Sequence, residues 1–265
     1  MGSAASKIVL KSPREIELMR SAGRLVHEIL CELEQHVRPG VTTAELNRIA
    51  EEKILAAGAT ALFKGVVNPQ ARFPFPASIC SSVNEEVVHG IPNDQPLREG
   101  DILSVDCGVR LNGYCGDAAR TFPVGKVSRP GRNLIDATRA VLELAIQEIQ
   151  PYVQWSSIAR KMQKYIESRG FGVVREFVGH GIGREMHEEP KIPNYYDRTQ
   201  RGGDFELLPG MTLAIEPMVT AGGPKVKFRD KDQWSVITED RSLSAHFEHD
   251  VAVTETGSSV LSDGS

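Results

Sequence analysis

Several acids and histidines in this chain stand where strand-forming sequence would bury a side chain. Asp106 closes the apolar run Ile102-Leu103-Ser104-Val105, and Asp117 follows it in Gly113-Tyr114-Cys115-Gly116. Glu216 ends Met211-Thr212-Leu213-Ala214-Ile215, and Glu248 lies in Ala245-His246-Phe247-Glu248-His249. His180 is framed by glycines in Gly179-His180-Gly181, with His187 following, and His89 ends Val87-Val88. Taken singly, each has an ordinary reading: a turn acid, a salt-bridged glutamate, a hydrogen-bonded core histidine. A buried carboxylate, however, must be paired or bind a cation. Asp106, Glu216, Glu248 and His180 together suit one site for hard or borderline divalent cations. With Asp117 added, the oxygens suffice for two ions and bridging carboxylates. Such a pair, roughly 3.5–4 Å apart, activates water near neutral pH, which is hydrolytic chemistry.

These residues need strands to carry them. Asn112-Gly113 is a hairpin signal between Ile102–Val109 and Gly113–Phe122. Folding there lets residues five before and five after the turn lie side by side, which aims Asp106 and Asp117 at one spot. Further strand-like runs are Ala77–Val83, Gly172–Val178, Thr212–Val219, Trp234–Thr238 and Ser244–Val253. The glycines beside His180 let backbone and ligand approach closely.

Helices precede each group of strands. Ser12, Pro13 and Glu15 form an N-terminal capping box for a helix to about Val37, and Thr42 with Glu45 caps a second that closes at Gly58. Helical segments return at about Asn133–Gln150 and Ser156–Gly170. A shift of 112 positions maps Pro39 onto Pro151, Val41 onto Val153, Leu46 onto Ile158 and Gly58 onto Gly170. A duplicated helix-helix-strand unit follows, in an α+β domain with one antiparallel sheet and the helices packed outside it. The expected layout is a flexible 1–7, a single catalytic domain 8–260 in halves of about 8–124 and 125–260, and a flexible end 261–265.

The chain has 265 residues and a formal net charge of −4, from 31 basic and 35 acidic side chains. That length builds a core without covalent staples. Four scattered cysteines fit reduced thiols rather than a disulfide scaffold. Mild acidity argues against DNA binding, and no apolar stretch reaches the roughly 20 residues of a bilayer helix. Met1–Ser6 lacks the basic and apolar regions of a secretory signal. It fits the loose M-G-x-x-x-S myristoylation pattern, which small residues satisfy readily.

From about Ile8 to Val260 the sequence resembles the type I methionine aminopeptidases of the pita-bread fold. The resemblance is carried by Val83-Asn84-Glu85-Glu86-Val87-Val88-His89-Gly90-Ile91-Pro92, Val105-Asp106, Gly116-Asp117, Gly179-His180-Gly181-Ile182-Gly183, Met186-His187-Glu188-Glu189-Pro190, Ile215-Glu216-Pro217-Met218 and Ser244-Ala245-His246-Phe247-Glu248-His249. It implies removal of an N-terminal methionine from peptides and nascent proteins, favoured by a small second residue. It implies two divalent ions, of Co, Mn, Fe or Zn. Asp106 would hold one ion, His180 and Glu216 the other, and Asp117 and Glu248 both. Glu216 would also move a proton, while His89 and His187 would contact the substrate at the scissile bond. Phe75, Cys80 and Trp234 would line the methionine pocket and its rim.

The sequence departs from the family pattern before Ser78-Ile79-Cys80. The usual short turn after Lys-Gly is here the longer Val66-Val67-Asn68-Pro69-Gln70-Ala71-Arg72-Phe73-Pro74-Phe75-Pro76. Met186 replaces a common aromatic, and Val88 a common cysteine. No Cys/His-rich extension precedes the domain, and 29 positions separate His187 from Glu216, too few for the type II helical insertion. The expectation is a bacterial or organellar short form: a cytoplasmic monomer. Lys225, Lys227, Arg229 and Lys231 alternate on an extended segment, read chiefly as charge protecting an edge strand, with weak ribosome contact as the sharper hypothesis. The competing functions are an Xaa-Pro peptidase of the same superfamily and a catalytically inactive binding module.

Overall fold

The computed structural model describes residues 8–196 and 204–265, so the expectation of a flexible 1–7 lies outside the described residues. Helix α1 (Pro13–His36) and helix α2 (Thr43–Ala56) start at the two expected capping boxes, in which Ser12 and Thr42 accept from the backbone of Glu15 and Glu45. Each such cap stabilises its helix by about 1 kcal/mol. Helix α3 (Arg129–Glu148) begins four residues before the expected Asn133, because Ser128 caps the N–H of Gly131 and Pro130 sits in the first turn. Helix α4 spans Trp155–Glu167.

The strands are β1 (Thr60–Ala61), β2 (Cys80–Val83), β3 (Glu86–Val88), β4 (Ile102–Leu111), β5 (Tyr114–Pro123), β6 (Gly172–Val173), β7 (Gly179–Gly181), β8 (Glu188–Ile192), β9 (Thr212–Ile215), β10 (Met218–Thr220), β11 (Val226–Phe228), β12 (Val236–Thr238), β13 (Ser244–His246), β14 (His249–Thr254) and β15 (Gly257–Val260). They form four antiparallel ladders rather than the single sheet expected. One has β4 flanked by β5 on one edge and by β1 and β2 on the other; the others run β13-β10-β6, β11-β12-β3 and β15-β14-β9-β7-β8. The physical reason lies in two strands that the alternation reads as continuous. Thr212–Val219 breaks at Glu216-Pro217 and Ser244–Val253 at Phe247-Glu248, so each half enters a different ladder. Glu248 N–H bridges the gap to Ala119 O at 2.9 Å. The expected strand Gly172–Val178 also stops early, after Val173.

The offset of 112 reappears in the elements. It carries His36 onto Glu148, Thr43 onto Trp155 and Thr60–Ala61 onto Gly172–Val173, and Gly58 and Gly170 both take positive φ, 65° and 80°. Two large cores match the two helix pairs. Leu25, Ile29, Leu33, Leu46 and Ile54 pack on Leu103, Val105 and Val109, while Leu134, Val141, Trp155, Ile158 and Met162 pack on Leu213, Val219, Val251 and Val253. Helix α1 lies directly on β5. A Cβ at Gly116 would fall 2.5 Å from the Ala22 carbonyl carbon, so only glycine permits that approach. At the chain end two residues are packed and the last three, 263–265, are exposed. Leu261 and Ser262 are fully buried, and the Ser262 hydroxyl meets His249 Nδ1 at 2.8 Å and accepts from Asp250 N–H.

Candidate metal centre

The hairpin turn is where the sequence places it, with φ of 53° at Asn112 and 81° at Gly113. A two-residue turn pairs Leu111 with Tyr114, which sets Gly108 opposite Asp117 and Asp106 opposite Ala119. Asp106 and Asp117 are therefore diagonal neighbours on one face, two rungs apart on the ladder rather than side by side as expected. Their carboxyls still meet, because diagonal positions share a face and lie within reach of each other.

Three more elements bring ligand-type side chains to the same place. His180 sits in the middle of β7. A Cβ on Gly179 would lie 2.3 Å from Ala214 O, and one on Gly181 2.3 Å from Glu189 O. Those glycines thus admit neighbouring strands, not a ligand, and bring β7 tight against β8 and β9. His180 Nδ1 lies 3.0 Å from Gly181 O, a group that only accepts, so Nδ1 carries the proton and Nε2 offers its lone pair. Glu216 follows β9, with Oε1 3.9 Å from His180 Nε2, and Asn194 Nδ2 donates to its carbonyl. Glu248 stands in the break between β13 and β14. One ligand atom each from Asp117, His180 and Glu248 lie within 4.8 Å of one another.

All ten residues singled out from the sequence line one cleft of about 270 Å³: Phe75, Cys80, His89, Asp106, Asp117, His180, His187, Glu216, Trp234 and Glu248. The acids form its floor. Phe75 meets Trp234 edge to face at 5.3 Å, and with Phe63, Ala77 and Cys80 they make an apolar wall beside the partly buried Met186. Cys80 pairs with Asp106 across β2 and β4, and burial and the Asp106 charge push its thiol well above the usual range, so it is an apolar wall group rather than a nucleophile. His89 takes a left-handed φ of 59° against the edge of Phe177, an uncommon conformation for a side-chain-bearing residue and one found at functional sites. Burial lowers its pKa to about 4, so it is a neutral imidazole near pH 7. His187 is at the exposed side of the cleft, its ring 4.3 Å from that of His180.

The electrostatics of the floor fit a bound cation. Burial and the neighbouring Glu216 push Asp117 up to about 8, and burial pushes Glu216 to about 7 against the pull of His180. Burial, then the other carboxylates, raise Asp106 and Glu248 well above the carboxylate range. Asp106 Oδ1 and Asp117 Oδ1 are buried without a hydrogen-bond partner. Ionised carboxylates packed in this way repel and are poorly solvated, and a divalent cation removes both penalties. Oxygen donors with one imidazole fit a borderline divalent metal.

Sequence reasoning passed over three residues here. His246 is fully buried, with Nε2 3.3 Å from Glu216 Oε2, and its backbone is locked to Thr121 Oγ1 in both directions. Asp250 is fully buried behind Asp117, whose N–H donates to its Oδ2 at 2.7 Å. The signal for both was available, since they flank Glu248 at two residues on either side. Phe177, on the wall beside His89, carried no signal beyond being an apolar residue shortly before Gly179. Lys225, Lys227 and Arg229 do alternate along the edge at β11, but Arg229 is tied to Glu86 at 2.6 Å and Lys231 lies in the following turn, off that face.

A buried carboxylate–imidazole cage on the floor of an apolar cleft, carried by paired helix-and-strand units, defines a metal-dependent hydrolase. Residues 17–255 match metallopeptidase family M24, and the chain belongs to that family, among its methionine aminopeptidases. It is 48% identical to a methionine aminopeptidase of Clostridium perfringens over 96% of this chain and 98% of that one. It is 47% identical to methionine aminopeptidase 1 of Bacillus subtilis, with the same coverage. The crystal structure of the Rickettsia prowazekii methionine aminopeptidase superposes with a TM-score of 0.90, at 37% identity over 97% and 100% of the two chains. An Xaa-Pro dipeptidase from Bacillus anthracis shares the fold alone, with a TM-score of 0.72 at 22% identity over 96% of this chain and 61% of that one.

Proposed function

We propose that this chain removes the N-terminal methionine from peptides and nascent proteins, preferentially when the second residue is small. The observation that carries this reading is the floor of the cleft: four raised carboxyls and one imidazole, converging from separate strands beneath an apolar wall. Asp106, Asp117, His180, Glu216 and Glu248 would hold two divalent ions, and Mn, Fe, Co and Zn all suit that donor set. When bound, the metal supplies a Lewis acid and an activated water at neutral pH.

The chain's own groups do the rest. Phe63, Phe75 and Trp234 would receive the methionine side chain, since a flexible thioether packs well against aromatic edges. Glu216, whose carboxylate stands on the floor beside His180, would take a proton and return it to the leaving amine. His89 and His187 would hold the peptide group from the open side of the cleft, His89 as a neutral hydrogen-bonding imidazole. Acids buried at one end of the cleft and His187 exposed at the other favour entry by the free amine, which makes an exopeptidase rather than an endopeptidase. No helix among the described residues is long and apolar enough to cross a membrane, and the four cysteines are free. A cytoplasmic monomer meeting nascent chains is the setting we propose, with the exposed Lys225 and Lys227 as the place for any transient ribosome contact.

The test uses protein stripped with EDTA and reloaded with Mn. Methionine should be released from Met-Ala-Ser, while a Gly-Pro peptide stays intact. Metal uptake without methionine release would sink the reading, and selective cleavage of the Gly-Pro peptide would favour the Xaa-Pro alternative.

A further inference from the structure

The segment that is longer here than in the family pattern is folded in an unusual way. Its base is closed by two hydrogen bonds of 2.8 Å, Gly65 N–H to Phe75 O and Phe75 N–H to Val66 O. Its inner turn is held by Ala71 N–H to Asn68 O and Gln70 N–H to Asn68 Oδ1, both 3.0 Å. It is pinned to the opposite wall by Asn68 Nδ2 to Gln233 O at 3.2 Å and by Trp234 Nε1 to Phe73 O at 2.9 Å. The backbone is thus satisfied locally, while the apolar side chains point outward: Val67 is 72% exposed, Val66 46% and Phe73 41%.

The segment borders the cleft. Val66 lines the cleft itself, next to Val67, and the Phe73 carbonyl holds Trp234, which lines it too. Phe228 is 38% exposed and packs its ring against Phe177, another lining residue, at 6.1 Å. Eight large apolar side chains are exposed among the described residues, and each of these four lines the cleft or adjoins a residue that does. An apolar cluster fixed on a rigid frame beside a binding site marks an interaction surface.

The occupant follows from the direction of entry, and here the inference rests on the function proposed above. A substrate that enters amine first, toward the buried acids, leaves everything beyond its second residue outside the cleft. Extended peptide advances about 3.3 Å per residue, so residues three and four reach roughly 7–10 Å past the scissile bond. We infer that the loop of residues 66–74, through Val67 and Phe73, forms a subsite that selects apolar side chains at the third and fourth positions of the substrate.

The experiment compares kcat/KM for Met-Ala-Leu-Leu and Met-Ala-Ser-Ser with the Mn-loaded protein. Partial burial of two leucines on a half-exposed rim predicts a preference of about fivefold for the leucine peptide. The double variant Val67→Ser with Phe73→Ser should bring the ratio to within about twofold of one. Leu55→Ser, an equally exposed apolar position on α2, should leave the ratio where it was. Equal rates for the two peptides, or a preference that survives the double variant, overturn the subsite while leaving the methionine aminopeptidase reading intact. Absence of methionine release from both peptides overturns both.

Discussion

Loading the centre with metal should expel protons, and the structure sets a lower bound on how many. In the metal-free protein Asp117 titrates at about 8 and Glu216 at about 7, while Asp106 and Glu248 lie well above the usual range. At pH 7.5 Asp117 then holds about three quarters of a proton and Glu216 about one quarter, and the raised Asp106 and Glu248 can only add to that. A metal ligand must be deprotonated, so filling the site should release at least about one proton at pH 7.5. Release from Glu216 and Asp117 should rise toward two near pH 6, as both fill. Burial lowers His180 and takes His246 down to about 3, so His246 adds no proton in this range. Titration calorimetry of EDTA-stripped protein with Mn, repeated in buffers of different ionisation enthalpy, reads the proton count from the slope of heat against that enthalpy. A count below one at pH 7.5, or one that grows as the pH is raised, would refute the claim that buried, mutually repelling acids make this site.

The same protons set the stability of the metal-free protein. Above pH 6.5 the unfolded chain has already lost its carboxyl protons, whereas folded Glu216 and Asp117 keep theirs to about 7 and 8. The folded state therefore binds more protons, and urea midpoints should fall from pH 6.5 to 8.5, a trend that Mn should abolish. A rise over that interval would contradict the assignment. Asp106→Ala and Glu216→Ala should each abolish turnover and metal content measured by atomic absorption, while His89→Ala should lower turnover and keep the metal. Loss of metal in His89→Ala would show that its role is wrongly drawn. Leu261→Ala removes a fully buried side chain at about 2–5 kcal/mol, and thermal unfolding should drop by roughly 5–15 °C. An unchanged midpoint would mean that the last residues do not brace β14, the strand that carries Asp250 and follows Glu248.

What the sequence made legible follows from how local each signal is. The first two helices start within a residue of their expected positions, because a capping box is written in four consecutive residues. The acids were legible because a carboxylate ending an apolar run has no comfortable place in a core. The breaks at Glu216-Pro217 and Phe247-Glu248 escaped, since alternation continues through them and only packing reveals the interruption. Yet those breaks make the site. Side chains two apart on one unbroken strand share a face and a ladder, so Glu216 would have had to follow Met218 into its ladder, and Glu248 to stay with His246. Interrupting both strands at the acids leaves β9 with β7, which carries His180, and β10 with β13, so that two ladders end against each other. The Glu248 N–H then reaches across to Ala119 on β5, the strand of Asp117. Glu216 and Glu248 stand at the seams between ladders, while Asp106 and Asp117 come from within the β4–β5 hairpin, so a cation can be reached from several sheets at once. A variant that smoothed either seam, such as Pro217→Val, would restore a backbone donor and favour continuous pairing of β9 into β10. The cage would open although none of its five side chains had changed.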